Sequence, residues 1–255
     1  MRNALKEKLE QKARPVGTFV TTDSVDVVEC LACTGLDYVI LDNEHSPMDA
    51  ETTCAMVRAA SGRGLTALAR VREISRSAVL KLLDVGAQGL IIPNVHGVED
   101  MRRVVDYAKY APVGQRGFGL SRKDGWGSEG LGTVPEIMAH FNRETLVVPQ
   151  CETAEALHSI EDIAAMEGVD GVFIGPYDLS ISMGIPGAFD DPRFAAALQR
   201  VVNACHQAGK FCLIFAGDGE TGLARLEQGF DGIAVGVDAT LLMSGVQAQL
   251  AKIKK

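Results

Sequence analysis

The sequence predicts an α/β chain folded as a single (β/α)8 TIM barrel, with a short N-terminal helix and a long loop after the fourth strand. Three observations point there. The chain has 255 residues, and barrels of this kind run to about 250 residues as one domain. Eight short runs are almost wholly apolar, as parallel strands covered on both faces should be. Longer stretches between them carry apolar residues at helical spacing.

Taken in order, Met1 to Gln11 is charged and amphipathic and reads as the N-terminal helix. Strands are expected at Gly17–Thr21, Tyr38–Leu41, Thr66–Ala69, Gly89–Ile92, Leu146–Val148, Gly171–Ile174, Phe211–Ile214 and Gly232–Val235. Helices are expected at Val25–Thr34, Glu51–Gly62, Arg76–Val85, Val98–Tyr110, Ala154–Met166, Pro192–Ala208, Glu220–Gln228 and Ala239–Ile253. Gly35, Gly64, Gly86, Gly209 and Gly229 follow helical stretches, where glycine takes the left-handed cap. An open doubly wound sheet is the structural alternative to the closed barrel. No linker, low-complexity tract or charge block divides the chain, so residues 1–255 read as one domain.

Residues 111 to 133 break the rhythm, with Pro112, several glycines, Arg116, Arg122, Lys123 and the single Trp126. A loop this long on a catalytic face is expected to act as a lid or substrate wall. Its basic residues would then favour a substrate with an acidic tail.

Composition excludes several function classes. The net charge is −8, and no basic cluster is dense enough to follow a row of phosphates, so nucleic acid is not an expected partner. No apolar run reaches the roughly 18 residues of a membrane span, and the N-terminus lacks a signal-peptide core. The chain reads as cytoplasmic. Cys30 and Cys33 form a C-x-x-C inside a helical pattern and are expected to be buried apolar thiols rather than a redox pair.

Reactive groups in a barrel project from the C-terminal ends of its strands. After strand two stands Asp42-Asn43-Glu44-His45, where a carboxylate three residues before an imidazole can orient it and raise its basicity. Arg70 ends strand three and could stabilise an oxyanion or clamp a carboxylate. Strands five and six end in Gln150-Cys151-Glu152 and Gly175-Pro176-Tyr177-Asp178. Glu152 and Asp178 offer one carboxylate each, and with water they suit a hard divalent cation while leaving positions for substrate. The Gly175-Pro176 turn exposes backbone N–H groups that can cradle a substrate carboxylate.

At these residues the chain resembles the HpcH/HpaI aldolase family, the class II pyruvate aldolases of the phosphoenolpyruvate/pyruvate barrel superfamily. The matching stretches are Leu41-Asp42-Asn43-Glu44-His45-Ser46-Pro47, Ala69-Arg70-Val71, Ile91-Ile92-Pro93, Gln115-Arg116-Gly117, Gln150-Cys151-Glu152-Thr153 and Phe173 to Ser180. The resemblance implies Glu152 and Asp178 as ligands of Mg²⁺, Mn²⁺ or Co²⁺. It implies Arg70 on the pyruvate oxygen and His45, paired with Asp42, as acid/base. Gln150 and the backbone from Gly175 through Pro176 and Tyr177 to Asp178 would hold the pyruvate portion. It further implies a homohexamer with exchanged C-terminal helices. Tyr177 departs from the pattern, since many members carry a small residue there.

The implied reaction is reversible cleavage of a 4-hydroxy-2-oxo acid, of the 2-dehydro-3-deoxy-glucarate or 2,4-dihydroxyhept-2-enedioate type, to pyruvate and an aldehyde. A pyruvate enolate stabilised by the metal and Arg70 would be the intermediate. Schiff-base chemistry would need a lysine inside an apolar strand, and none of the strand centres holds one. Two rival functions are an acyl-CoA lyase of the citrate lyase beta or malyl-CoA type and a non-catalytic oxo-acid-binding barrel.

Overall fold

A computed structural model describes every residue except Met1, Glu129 and Lys255. The two ends of the expected 1–255 domain and one residue of the long loop therefore lie outside the described residues. Eight strands form the wall: β1 (Val16–Val20), β2 (Tyr38–Asp42), β3 (Thr66–Arg70), β4 (Gly89–Ile92), β5 (Leu146–Cys151), β6 (Gly171–Ile174), β7 (Phe211–Ala216) and β8 (Gly232–Val237). Each pairs in parallel with the next, and β8 closes on β1. The closed barrel is the expected fold, and the open sheet is excluded.

The helices are α1 (Ala4–Glu10), α2 (Val25–Ala32), α3 (Ala50–Gly62), α4 (Arg76–Asp84), α5 (Val98–Ala108), α6 (Val134–Glu144), α7 (Ala154–His158), α8 (Ile160–Ala165), α9 (Pro176–Ser182), α10 (Pro192–Gln207), α11 (Gly219–Glu227) and α12 (Asp238–Ile253). Ser24, Ser75, Asp191 and Asp218 cap helices by accepting first-turn N–H bonds, the local signal that starts a helix after an extended strand exit. Two helices were not expected from sequence, α6 and α9, and the stretch 154–166 is two short helices meeting at Ser159.

Alternation of the strand residues divides the core. Phe19, Tyr38, Ile40, Leu68, Ile91, Val148, Phe173 and Leu213 fill the barrel interior, and Leu5 and Leu9 of α1 join the same cluster. The N-terminal helix thus plugs the barrel at the N-terminal ends of its strands. The opposite residues of the strands pack against the helical ring. A side chain at Gly17 would place its Cβ 2.5 Å from the Tyr38 ring, so that ring crosses the barrel only because position 17 has none.

The long loop does not behave as expected. Arg116 donates from Nη2 to Asp84 Oδ1 at 2.7 Å, Arg122 donates to the Val85 carbonyl at 3.3 Å, and Lys123 sits 3.6 Å from Asp84. Asp84 and Val85 close α4 and lead into β4, so these cations are bound at the N-terminal side of the barrel. Arg116 also lies over the Tyr110 ring at 4.8 Å. Their long side chains are consumed by packing and ion pairing, so they do not furnish cations to the mouth of their own barrel. Cys30 and Cys33 also differ from expectation: both are exposed, and the buried thiols are Cys151, Cys205 and Cys212.

Candidate active site

The C-terminal ends of β2 and β3 place Asp42 and Arg70 side by side, since the two residues are register partners across the sheet. Arg70 donates from Nε to Asp42 Oδ1 at 2.9 Å and from Nη2 to Oδ2 at 2.6 Å. Its third nitrogen, Nη1, lies 3.1 Å from Glu44 Oε2, and its Cζ is 5.0 Å from the centre of the Phe19 ring. Arg70 and Asp42 are buried. A guanidinium held on one edge by a carboxylate and on one face by a ring is preorganised, with N–H donors left for a ligand.

Asp42 does more than hold Arg70. Its Oδ1 accepts the backbone N–H groups of Glu44 at 3.0 Å and His45 at 3.2 Å, which shapes the turn after β2. The expected side-chain pairing of His45 with Asp42 is therefore corrected. Asp42 binds the backbone of His45, while the ring nitrogen Nε2 faces Glu44 Oε2 at 3.7 Å. The reason is competition: both Asp42 oxygens are taken by the stronger bidentate arginine pair. The His45 side chain stands at the rim, 67% exposed, and borders the mouth cavity.

From β5, Gln150 and Glu152 point into the mouth. Glu152 Oε1 accepts the Asn94 N–H at 2.6 Å, and its Oε2 accepts from Gln150 Nε2. Gly175 makes this possible, because a Cβ there would lie 2.7 Å from Gln150 Nε2 and 2.9 Å from Glu152 Oε2. Burial pushes the Glu152 carboxyl above the usual range; the charges of Glu44 and Asp178 push the same way, against the Asn94 and Gln150 hydrogen bonds. Burial also raises Glu44, with Asp42 and Asp178 adding and Arg70 and His45 opposing. Glu44, Glu152 and Asp178 thus form a set of carboxylates that repel one another across the mouth.

Asp178 lies in the first turn of α9, behind Pro176 at the helix start. The first-turn N–H groups of Tyr177 and Asp178 have no carbonyl partner within the helix. Tyr177 is about half exposed, and its ring meets Phe189 edge-on at 5.2 Å and Phe215 at 6.1 Å. Together with Phe19 and Phe173 it makes one wall of the mouth cavity aromatic. Asp42, Arg70 and Gln150 supply its polar lining, and the cavity volume is about 190 Å³.

The residues given a catalytic, metal or pyruvate-binding role from sequence, namely Asp42, His45, Arg70, Gln150, Glu152, Gly175, Pro176, Tyr177 and Asp178, lie at this mouth or directly beneath it, whereas Arg116, Arg122 and Lys123 do not. Sequence reasoning gave no role to Glu44, Phe19 or Phe215. Glu44 was legible as part of the polar run after β2. The two aromatics read only as strand residues, and their place at the mouth follows from barrel closure.

The residues present fit a divalent cation. The donors are hard carboxylate oxygens, and the buried Gln150 Oε1 has no hydrogen-bond donor among the described residues. Burial chiefly, with the neighbouring carboxylates adding, disfavours the charged forms of Glu44 and Glu152, and a cation would restore them. Among the described residues, no three His, Cys, Asp or Glu side chains enclose a metal by themselves.

The sequence profile of the HpcH/HpaI aldolase/citrate lyase family matches residues 15–245. A 4-hydroxy-2-oxo-heptane-1,7-dioate aldolase of Klebsiella pneumoniae is 35% identical over 254 residues, which cover 99% of this chain and 94% of the relative. An HpcH/HpaI aldolase/citrate lyase family protein from Burkholderia cenocepacia superposes with a TM-score of 0.91 at 30% identity, covering 99% of this chain and 100% of that one. An HpcH/HpaI aldolase from Desulfitobacterium hafniense gives a TM-score of 0.90 at 31% identity, covering 98% of this chain and 96% of that one.

Proposed function

This chain belongs to the HpcH/HpaI aldolase/citrate lyase family and is a carbon–carbon lyase acting on a hydroxy-oxo acid, and from that premise we propose that it is a divalent-metal-dependent aldolase. It reversibly cleaves a 4-hydroxy-2-oxo acid to pyruvate and an aldehyde. The observation that supports the reading is that Asp178 and Glu152, the latter packed against Gly175, stand at a mouth that also holds the clamped Arg70. Glu152 and Asp178 would hold Mg²⁺, Mn²⁺ or Co²⁺, with substrate and water completing the shell. When bound, the cation supplies Lewis-acid polarisation of the 2-oxo group.

The chain's own residues do the rest. Asp42 holds Arg70 so that its spare N–H donors meet the oxygen on which charge gathers as the C3–C4 bond breaks. Gln150 and the first-turn N–H groups of α9 orient the pyruvate carboxylate. His45, at the rim beside Glu44, takes the proton of the C4 hydroxyl and returns one in the reverse direction. Tyr177, Phe215 and Phe19 enclose the aldehyde portion.

A homo-oligomer completes the reading. Leu241, Leu242, Met243, Val246, Leu250 and Ile253 expose apolar side chains along α12, whose only buried residue is Asp238. Such a face suits exchange with a second copy of the chain, as the hexamer implied by the resemblance would use it. No described helix is long and apolar enough to cross a membrane.

The test is synthesis from pyruvate and a panel of aldehydes with Mg²⁺, Mn²⁺ or Co²⁺, with Glu152→Ala as the inactive control. Metal-dependent product formation supports the reading. Chelator-insensitive turnover, or turnover of CoA thioesters alone, overturns it.

A further inference from the structure

A second, larger cavity than that at the mouth lies at the other end of the barrel. It has a volume of about 810 Å³, within the range of sites that take whole metabolites. It opens between the α1–β1 connection and the loops that lead into β6, β7 and β8. Four cations line it: Lys6, Lys12, Arg14 and Lys210. Leu9, Phe211, Leu226 and Phe230 give it an apolar floor.

The acids that share this cavity are largely spoken for. Asp170 Oδ2 accepts from Lys109 Nζ and from the Val147 N–H, both at 2.9 Å. Asp231 Oδ2 accepts the Cys212 N–H at 2.8 Å and faces His206 Nε2 at 3.0 Å. Glu10 stays exposed at the edge. Helix-end carbonyls of α10 and α11 are capped, by the Lys210 N–H on Cys205 O at 2.8 Å and the Phe230 N–H on Arg225 O at 3.3 Å. Lys6 is tied to the Arg143 carbonyl and lies 3.6 Å from Asp170. The side chains of Lys12, Arg14 and Lys210 make no hydrogen bond or ion pair with any described residue. In a chain of net charge −8, three unpartnered cations against one unpartnered acid, Glu10, around one cavity are a local excess that calls for an anion.

The backbone carries a second, independent mark. Lys12 and Arg14 have φ of 55° and 51°, in the left-handed region that non-glycine residues rarely enter. Lys12 occupies the position after α1 where the chain closes on Leu9 O and Lys8 O, a place usually given to glycine. Two strained residues separated by Ala13, both basic and both lining the cavity, place their charges there at a conformational cost. Strain of this kind clusters at ligand sites.

We propose that this groove binds an organic di- or polyphosphate, with the phosphates on Lys12, Arg14 and Lys210 and the organic part on Phe211 and Phe230. The test is calorimetric titration of the chelator-treated full-length protein at low ionic strength with adenosine diphosphate and, separately, inorganic pyrophosphate. Both are expected to bind saturably, the diphosphate nucleoside more tightly. The Lys12→Ala/Arg14→Ala/Lys210→Ala variant should weaken both by about tenfold or more, roughly 1.4 kcal/mol. These side chains are exposed or half-buried and unpartnered, so their loss leaves the fold intact; Arg14→Glu alone should weaken binding as well. Glu152→Ala, at the opposite mouth, should bind unchanged. No binding by the wild-type protein, undiminished binding by the triple variant, or loss in Glu152→Ala overturns the site. Tighter binding of pyrophosphate than of adenosine diphosphate overturns the role of the aromatic floor.

Discussion

Asp42 and Arg70 face each other as register partners at the ends of β2 and β3, and two hydrogen bonds of 2.9 and 2.6 Å lock the guanidinium to the carboxylate. The pair is buried, so each charge depends on the other. Removing one partner of a buried pair typically costs about 3–5 kcal/mol, although Glu44 remains beside Arg70 here and softens the loss. Asp42→Asn should therefore lower thermal stability and reduce kcat at least about 100-fold, the scale of losing one oxyanion donor. Thermal unfolding and steady-state kinetics check both. Unchanged kcat in a folded Asp42→Asn protein would remove Arg70 positioning from the account.

The raised carboxyls give a signed pH dependence. Glu44 and Glu152 have folded-state pKa values above their unfolded ones, chiefly through burial. The folded, metal-free chain then binds more protons than the unfolded chain between those values. Its stability falls as pH rises through that window, which starts at the ordinary glutamate value and ends at the raised one. A cation held by Glu152 needs that carboxyl ionised and is favoured by a charged Glu44 beside it, so its affinity rises over the same window. The increase in Tm produced by Mn²⁺ should grow from acid to neutral pH, measured in paired titrations with and without chelator. An increment that shrinks toward neutral pH would contradict the carboxylate set.

The proposed function puts Tyr177 beside the aldehyde portion of the substrate. Its ring packs on Phe189 and Phe215. Tyr177→Ala should raise kcat/KM for bulky aldehydes relative to small ones by about tenfold or more, since a pocket-shape change is worth about 1–3 kcal/mol, and leave the KM for pyruvate largely unchanged. Kinetics with a graded aldehyde series give the answer. Equal effects on every aldehyde would place Tyr177 outside the pocket.

Arg116 serves the fold. Its guanidinium is almost fully buried between Asp84 and Tyr110. Arg116→Ala should cost about 3–5 kcal/mol, as for other broken buried pairs, read as a loss in the urea midpoint. In the protein that remains folded, preference between acidic and neutral aldehydes should not change. A selective loss for acid-tailed aldehydes would return the loop to the substrate site.

Much of this was legible in the sequence because barrels tie chemistry to strand ends. β4 and β6 have the expected limits, and the polar residues after β2, β3, β5 and β6 converge as the alternation implies. β5 runs further than expected, since Pro149 reads as a strand breaker yet sits opposite Ile92 in the sheet. α9 is too short to show a helical period, and α6 is masked by the glycines before Pro135. The direction of the 111–133 loop depends on Asp84 and Val85, distant in sequence, and no local pattern reports it. The same holds for His45, whose ring loses Asp42 to an arginine 28 residues away.

The most direct measurement is loss of the pyruvate methyl protons in D₂O, followed by NMR with the wild-type protein, with chelator present, and with Glu152→Ala. Exchange is expected only in wild-type protein supplied with Mg²⁺, Mn²⁺ or Co²⁺, and in neither of the other two samples. Exchange that persists with chelator or in Glu152→Ala would contradict a metal-assisted pyruvate enolate at this mouth.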